Sequence, residues 1–211
     1  MKPLNERSLI EMNRIRKLIC VALIALSGMT LAAEEQAPRA VVERLHETLL
    51  EAMTRAEQLG YEGRFNLIRP VIDDSFDFNT IARIVTGRYW KDTDPAQRDS
   101  FKNVFRKLSA ATYATNFSGF SGERFETILT EKSRRGVIVK TALVKADGEE
   151  IPLTYLLRGN DNKWLIVNVI AQGISDLSLK RADYTAVIKK EGFDSLVNRL
   201  NDKITAMLRG P

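Results

Sequence analysis

The sequence predicts an α+β fold with helices at both ends and an antiparallel four-stranded meander sheet between them. Two changes in hydrophobic periodicity indicate this order. Apolar residues recur at helical spacing from Val42 to Ala111, alternate with a period of two between Val137 and Val169, and return to helical spacing after Ser175. Short turns between successive strands require antiparallel neighbours. Helices that cover one face of such a sheet enclose either a solid core or an apolar cavity, and the pattern alone fits both.

The first 33 residues have the composition of a secretory signal peptide. Residues 1–17 are basic, residues 18–31 (LICVALIALSGMTL) are apolar, and small residues follow up to Ala33. The apolar run is shorter than the roughly 20 residues that a membrane-spanning helix needs, so we expect cleavage and export and not a retained anchor. Met12 is an alternative start, since the segment from Met12 has the same order of charge, apolar core and small residues.

Removal of residues 1–33 lowers the net positive charge of the chain. The whole chain has 32 Lys and Arg against 27 Asp and Glu, and residues 1–33 hold five of the basic and two of the acidic residues, which leaves a net charge of +2. Such a balance gives little support to nucleic-acid binding. The single cysteine, Cys20, is also removed, so the remaining chain suits an oxidising compartment without using disulfides.

The helices before the sheet are predicted from periodicity and from their end signals. Residues 34–40 are polar and are expected to form a flexible leader, and residues 41–211 are expected to form a single domain. The first helix ends at Gly60, and a second helical segment covers about residues 64–72. Asp77 is predicted to cap a third helix. The sequence DPAQ at residues 94–97 resembles a capping box with proline at the first helical position, and it starts a fourth.

The strands are predicted at residues 125–131, 137–143, 151–157 and 163–171, and the last of them is apolar on both faces. The segments ADGEE (146–150) and GNDN (159–162) supply turns between them. Helical periodicity then resumes and is interrupted at Gly192.

Residue types that carry catalysis are scarce. The only histidine, His46, lies among polar neighbours and is expected at the surface. The close carboxylates Asp73, Asp74 and Asp77 could form a metal or acid/base site, but their position at a helix start favours capping. We therefore predict no catalytic residues, no metal site and no cofactor.

Residues 76–90 (FDFNTIARIVTGRYW), followed by DPAQRDSFKNVFRKLSAATYA, resemble the shared signature of the MlaC family, also called the toluene-tolerance family, of periplasmic lipid-binding proteins. The resemblance extends over about residues 41–208. Residues 111–125 and 173–200 are more similar to the hopanoid-associated HpnM branch. Where the phospholipid branch carries Asn-Tyr-Arg near the end of the sheet, this chain has Leu179, Lys180 and Arg181.

The resemblance implies a periplasmic carrier that shuttles phospholipid, or a hopanoid-type lipid, between the inner and outer membranes. Lipid tails would lie in an apolar cavity between the helices and the sheet. An inner-membrane lipid transporter complex and an outer-membrane lipoprotein would be its partners. The residues expected to contact the lipid are Tyr89 and Trp90 at a helix end and, on the strands, Val139, Thr141, Leu153, Tyr155, Leu157, Val167 and Val169.

Two other functions also fit a sequence with few catalytic residues. One is a non-catalytic extracytoplasmic interaction or chaperone-like module with a solid core. The other is a hydrolase whose carboxylates are not recognised from the sequence. A bound lipid would distinguish the carrier from both.

Overall fold

A computed structural model describes residues 37–160 and 163–208, and the order of their elements is helices, sheet, helices. The helices before the sheet are α1 over residues 37–54, α2 (Ala56–Ser75), α3 (Phe78–Thr86), a short 3₁₀ helix (Gly87–Trp90) and α4 (Pro95–Asn116). The strands are β1 (Arg124–Ser133), β2 (Gly136–Val144), β3 (Glu150–Asn160), β4 (Lys163–Ala171) and β5 (Ile174–Ser175), and α5 (Asp176–Glu191) and α6 (Phe193–Leu208) complete the fold. The predicted α+β class is confirmed. The predicted signal peptide and residues 34–36 of the leader lie outside the described residues.

The sheet is an antiparallel meander in the order β1-β2-β3-β4-β5, so the prediction of four strands is wrong by one. The additional strand, β5, consists of two residues that pair with Ile170 and Ala171 of β4. It follows a tight turn in which Gln172 and Gly173 both have positive φ, 51° and 80°. A two-residue strand is too short to produce an alternating pattern, which is why the sequence does not reveal it.

Irregularities in two strands shape the sheet. The register of β3 against β4 passes from Leu156↔Asn168 to Leu157↔Ile166, so Val167 is an extra residue in β4. The register of β1 against β2 changes in the same way at Ile128. Bulges of this kind bend a strand and change the face to which the following residues point.

The helix ends follow the predicted capping with one difference. The Asp77 carboxylate accepts the Thr80 N–H at 2.9 Å, which confirms its role as a cap of α3. The Asp94 carboxylate accepts the Gln97 N–H at 3.0 Å, and proline occupies the first turn of α4. The Gln97 side chain does not return to its own helix start; it donates to Asp194 of α6 at 2.9 Å, so the capping box is only half formed.

Helix α1 includes residues 37–40, which the sequence assigns to the leader. Pro38 is compatible with helix there, because a proline in the first turn removes no intrahelical hydrogen bond. The predicted break at Gly60 is present as a kink near the start of α2, where this residue has non-helical φ and ψ of 58° and −171°.

Helices and sheet share one core of buried side chains. Leu45 and Leu49 of α1 and Phe101 of α4 are fully buried, as are Leu157 and Ile166 of the sheet. The described residues from Pro38 onward belong to one compact unit. Of the helices that are described, none combines the length and the apolar character needed to cross a membrane.

Candidate functional site

A cavity of about 530 Å³ lies within this unit, and its walls come from both the helical layer and the sheet. Sites for small organic ligands typically have volumes of roughly 300–1,000 Å³. Most of the lining is apolar: Met53, Phe76, Phe78, Ile81, Phe105, Leu108, Tyr113, Phe117, Leu143, Ile151, Leu153, Tyr155, Val167, Val169, Ala171 and Leu177. The chain therefore has an apolar cavity beside its core of buried side chains.

Aromatic side chains form the helical wall of the cavity. Phe78 of α3 meets Phe105 of α4 edge to face, with ring centroids 5.8 Å apart. Tyr113 and Phe117 stack at 5.8 Å, and Phe76 lies 6.2 Å from Tyr113. Such pairs contribute to stability beyond their buried area.

Charged groups that line the cavity come from loops and from the start of α5. Lys145 forms an ion pair with Glu149 at 2.6 Å, and Lys180 forms one with Asp176. The side chains of both acidic partners are more than half exposed, so this end of the cavity opens toward solvent. The cavity thus has an apolar interior and a charged opening.

The Asn168 amide fixes the start of α5 beside this opening. Its Oδ1 accepts hydrogen bonds from the Ser175 hydroxyl at 3.1 Å and from the Leu177 N–H at 3.3 Å. Ser175 in turn accepts the Ser178 N–H as the N-cap. One polar side chain of β4 therefore holds the helix end that borders the cavity.

Large apolar side chains are exposed next to the residues at the opening. Phe120, Ile174 and Leu179 have 47%, 57% and 59% of their surface exposed. Phe120 follows the lining residue Gly119, and Leu179 precedes the lining residue Lys180. Exposed apolar groups around a pocket are typical of sites where apolar ligands or partners approach.

Four of the nine residues predicted to contact lipid line the cavity, namely Leu153, Tyr155, Val167 and Val169. Val139, Thr141 and Leu157 lie in the core and not on the cavity wall, although Val139 is paired directly with Tyr155 and Thr141 with Leu153. All seven strand residues lie on the same face of the sheet. Helical side chains pack over part of that face, and the rest of it borders the cavity.

Tyr89 and Trp90 lie in the 3₁₀ helix and are not among the residues that line this cavity. The Tyr89 hydroxyl accepts a hydrogen bond from Arg88 at 3.1 Å. Arg98 of α4 packs over the Trp90 ring and donates to the Trp90 carbonyl at 2.8 Å. Both aromatics are partly buried and pack against the core, and the contacts between Trp90 and Arg98 connect the 3₁₀ helix to α4.

The sequence-based list missed the helical side of the site. Phe78, Phe105 and Leu108 line the cavity from α3 and α4, together with Phe76 and Tyr113. A signal was present, because Phe105 and Leu108 share the apolar face of α4 with Phe101 and Val104. Periodicity identifies that face as buried but does not distinguish core from cavity wall.

His46 is buried, so its predicted surface position is wrong. Only 4% of its surface is exposed, its Nε2 shares a hydrogen bond of 2.9 Å with the Tyr155 hydroxyl, and its ring stacks on Phe125 with centroids 3.8 Å apart. The reason is helical spacing, since residues 42, 45, 46 and 49 all face the core. Burial lowers the pKa of His46 to about 4 and raises the pKa of Tyr155 well above its usual value, so both groups are neutral at pH 7.

The buried imidazole predicts an acid sensitivity that His46→Gln should remove. An unfolded histidine has a pKa of about 6.5, whereas folded His46 has a pKa of about 4. Between these values the unfolded chain binds more protons, so stability falls as pH is lowered through this window. The expected loss between pH 7 and pH 5 is about 2 kcal/mol. Urea unfolding of the wild type and of His46→Gln at pH 7, 6 and 5 measures this loss. An equal dependence of the unfolding free energy on pH in the two proteins would contradict the prediction.

Two of the three aspartates in the acidic cluster identified in the sequence have structural partners. Asp77 caps α3, and Asp73 forms ion pairs of 3.7 Å with both Arg69 and Arg106. Across residues 37–160 and 163–208, no group of three or more His, Cys, Asp or Glu side chains is placed to hold a metal ion.

Known proteins resemble this chain over most of its length. The family model described as MlaC protein matches residues 43–202. The intermembrane phospholipid transport system binding protein MlaC of Haemophilus influenzae is 21% identical over 203 residues, which cover 92% of this chain and 94% of the relative. A phospholipid-binding protein of Ralstonia solanacearum, solved in complex with a phospholipid, has a similar fold, with a TM-score of 0.71 and 19% identity over 83% of this chain and 98% of the other.

Proposed function

Since the chain belongs to the MlaC protein family, we propose that it is a periplasmic carrier that holds the tails of a lipid in its cavity and shuttles the lipid between the inner and outer membranes. The observation that carries the proposal is the cavity of about 530 Å³ with an apolar interior and a charged opening. Apolar tails fit the interior, and a polar headgroup fits the solvent-exposed end. The relative from Haemophilus influenzae is named for phospholipid transport, and the Ralstonia solanacearum protein was solved with a phospholipid.

The energetics of transfer explain why such a cavity is useful. Transfer of an acyl chain of roughly sixteen carbons from a membrane into water costs on the order of 12 kcal/mol of free energy, at about 0.8 kcal/mol per CH₂ group. A cavity that keeps the chain dry removes most of this barrier. Because the tail is in an apolar environment before, during and after transfer, the exchange requires neither a nucleotide nor a metal in this chain.

Within the proposed site, Leu153, Val167 and Val169 contact the tails from the sheet, and the aromatic wall of α3 and α4 contacts them from the other side. Tyr155 also borders the cavity, and its hydroxyl is hydrogen-bonded to His46 at 2.9 Å. The role proposed for each of these side chains is binding, and none acts in catalysis.

The direction of transport and the sites of loading would be set by other proteins. We propose an inner-membrane lipid transporter complex and an outer-membrane lipoprotein as partners, and export by a cleaved signal peptide over residues 1–33. The exposed side chains of Phe120, Ile174 and Leu179 support contact with an apolar surface at the opening during loading.

The chemical identity of the lipid has two candidates. A phospholipid is favoured by the names of the two relatives. A hopanoid-type lipid is favoured by the similarity of residues 111–125 and 173–200 to the HpnM branch. The module with a solid core is less well supported, because a cavity of this size serves no purpose in it.

Protein purified from the periplasm is expected to carry one lipid. Native mass spectrometry should detect the mature chain with an adduct of one lipid mass, and the same adduct should disappear after denaturation. Solvent extraction followed by mass spectrometry then identifies the lipid as a phospholipid or a hopanoid. An unmodified mass, under conditions in which noncovalent adducts of a known lipid carrier survive, would contradict the proposal.

A further inference from the structure

A second pocket, of about 340 Å³, lies between the 3₁₀ helix and the middle of α5. Its residues are distinct from those that line the lipid cavity. Gly87, Ala182 and Ala186 line it with small side chains, which leaves the space open, and three cationic side chains border it: Arg88, Arg181 and Lys189. Among the described residues, no acidic side chain contributes to the lining.

The basic residues of α5 converge on this pocket because of helical spacing. Arg181, Thr185 and Lys189 are separated by four residues each and therefore lie in one row along the helix. The Thr185 hydroxyl donates to the Arg181 carbonyl at 2.7 Å. Arg181 Nη1 donates to the Ile84 carbonyl of α3 at 3.2 Å, and Nη2 faces Gly87, where an added methyl group would lie 3.5 Å away.

Arg88 reaches the same pocket from the 3₁₀ helix, and its Nη2 donates to the Tyr89 hydroxyl at 3.1 Å. The contact with Tyr89 also includes the ring, whose centroid lies 5.0 Å from the guanidinium carbon. The side chain is therefore oriented by its neighbour while most of its donors remain available.

These three cations are not neutralised by ion pairs. Within the described part of the chain, no carboxylate oxygen lies within 4.0 Å of Arg88, Arg181 or Lys189. The adjacent Lys180 and Lys190, by contrast, each have an acidic partner. Asp92 acts on Arg88 only through its charge, without an ion pair. Like charges gathered around one open volume favour an anionic occupant.

We propose that this pocket binds a phosphate group. Two guanidinium forks match the geometry of phosphate oxygens, and a lysine adds a point charge, which is a donor set that phosphate recognition commonly uses. The phosphate could belong to the headgroup of an anionic lipid at a membrane surface or to a soluble ion. The site stands apart from the proposed lipid cavity and does not depend on the lipid-carrier function.

The test compares two probes and two matched double variants. The probes are inorganic phosphate, followed through the arginine Nε–H signals by NMR, and vesicles of phosphatidylcholine with or without phosphatidylglycerol, followed by co-sedimentation at low salt. The pocket variant is Arg88→Gln with Arg181→Gln. The control is Arg44→Gln with Arg134→Gln, which removes the same charge from two exposed arginines that form no ion pair with any residue in 37–160 or 163–208.

The pocket variant is expected to bind its probe about 30-fold more weakly, since each basic residue at an anionic surface contributes about 1 kcal/mol, and the control variant should bind nearly as the wild type does. Binding to anionic vesicles alone identifies a lipid headgroup, and binding of inorganic phosphate identifies a soluble source. Equal losses in both variants, or no binding of either probe, would overturn the proposal.

Two further readouts keep the test independent of folding and of the carrier function. Lys189 is exposed and has no ion pair among the residues that the structure describes, so the Lys189→Gln variant should fold normally. It should still bind about fivefold more weakly, at about 1 kcal/mol per charge. The lipid content of the cavity, measured by native mass spectrometry, should be unchanged in the pocket variant. Loss of that lipid together with anion binding would show that the pocket is not a separate site.

Discussion

Leu153→Glu is expected to leave the protein folded but free of bound lipid. Leu153 borders the cavity from β3, and its side chain is only partly buried. A carboxylate placed against lipid tails costs several kcal/mol, because the charge is neither hydrated nor paired there. Once the lipid has left, water can enter the cavity through its open end and hydrate the new charge. The penalty therefore falls on lipid binding and not on folding.

Leu157→Glu is the matched control, since Leu157 lies on the same strand, is fully buried and does not line the cavity. The same charge in the solid core has no access to water and should unfold the protein. The measurements are a thermal melt and solvent extraction with mass spectrometry for each variant. A folded Leu153→Glu variant with a full lipid load would contradict the proposed tail contact. Unfolding of both variants would favour a solid core around Leu153.

Gly136→Ala is expected to cost about 4 kcal/mol or more of stability, which places it among the largest effects of single substitutions. Gly136 begins β2 with a φ of +140°, and a methyl group there would lie 2.0 Å from the Leu157 carbonyl oxygen and 3.1 Å from its carbon. Both atoms belong to the backbone of β3, so the collision cannot be relieved by a change of side-chain rotamer. The start of the β2–β3 ladder, where Val137 pairs with Leu157, would have to separate.

Gly148→Ala separates this collision from the cost of the backbone conformation. Gly148 also has a positive φ, +88°, and it lies in the turn between β2 and β3, but no atom lies within 4 Å of an added methyl group. Only conformational strain remains, which costs about 1–3 kcal/mol. The free energy of unfolding measured in urea should therefore be higher for Gly148→Ala than for Gly136→Ala, by at least about 1–3 kcal/mol. Equal losses would show that the Leu157 carbonyl moves aside easily.

Local signals in the sequence determined most of the secondary structure. The caps at Asp77 and Asp94 and the kink at Gly60 depend on interactions within a few residues, so they can be predicted from the neighbouring sequence. Four of the five strands pair over longer distances, but each shows its alternating pattern or its flanking turn in the local sequence. The meander follows from the short turns, because these exclude parallel neighbours. The family signature over residues 76–90 is equally local.

The boundary between core and cavity was decided by the tertiary structure. Leu153 and Leu157 share a strand and a residue type, yet one borders open space and the other is enclosed, because different helical side chains lie opposite them. The bulge at Val167 is a further feature that the alternating pattern does not predict, because it turns two adjacent residues of β4 toward the interior. Periodicity reports which face is buried but carries no information on how completely that face is covered.

Contacts between residues far apart in the chain could not be predicted from the sequence either. His46 is stabilised in the interior by Tyr155, 109 residues away, and Arg88 shares a pocket with Arg181 through the packing of the 3₁₀ helix against α5. The polar neighbours of His46 along the chain point to solvent, but its own position in the helix does not. Periodicity, caps and turn residues predict which elements form and in what order. Only the three-dimensional packing decided which side chains meet, because the free energy of each such contact depends on both partners.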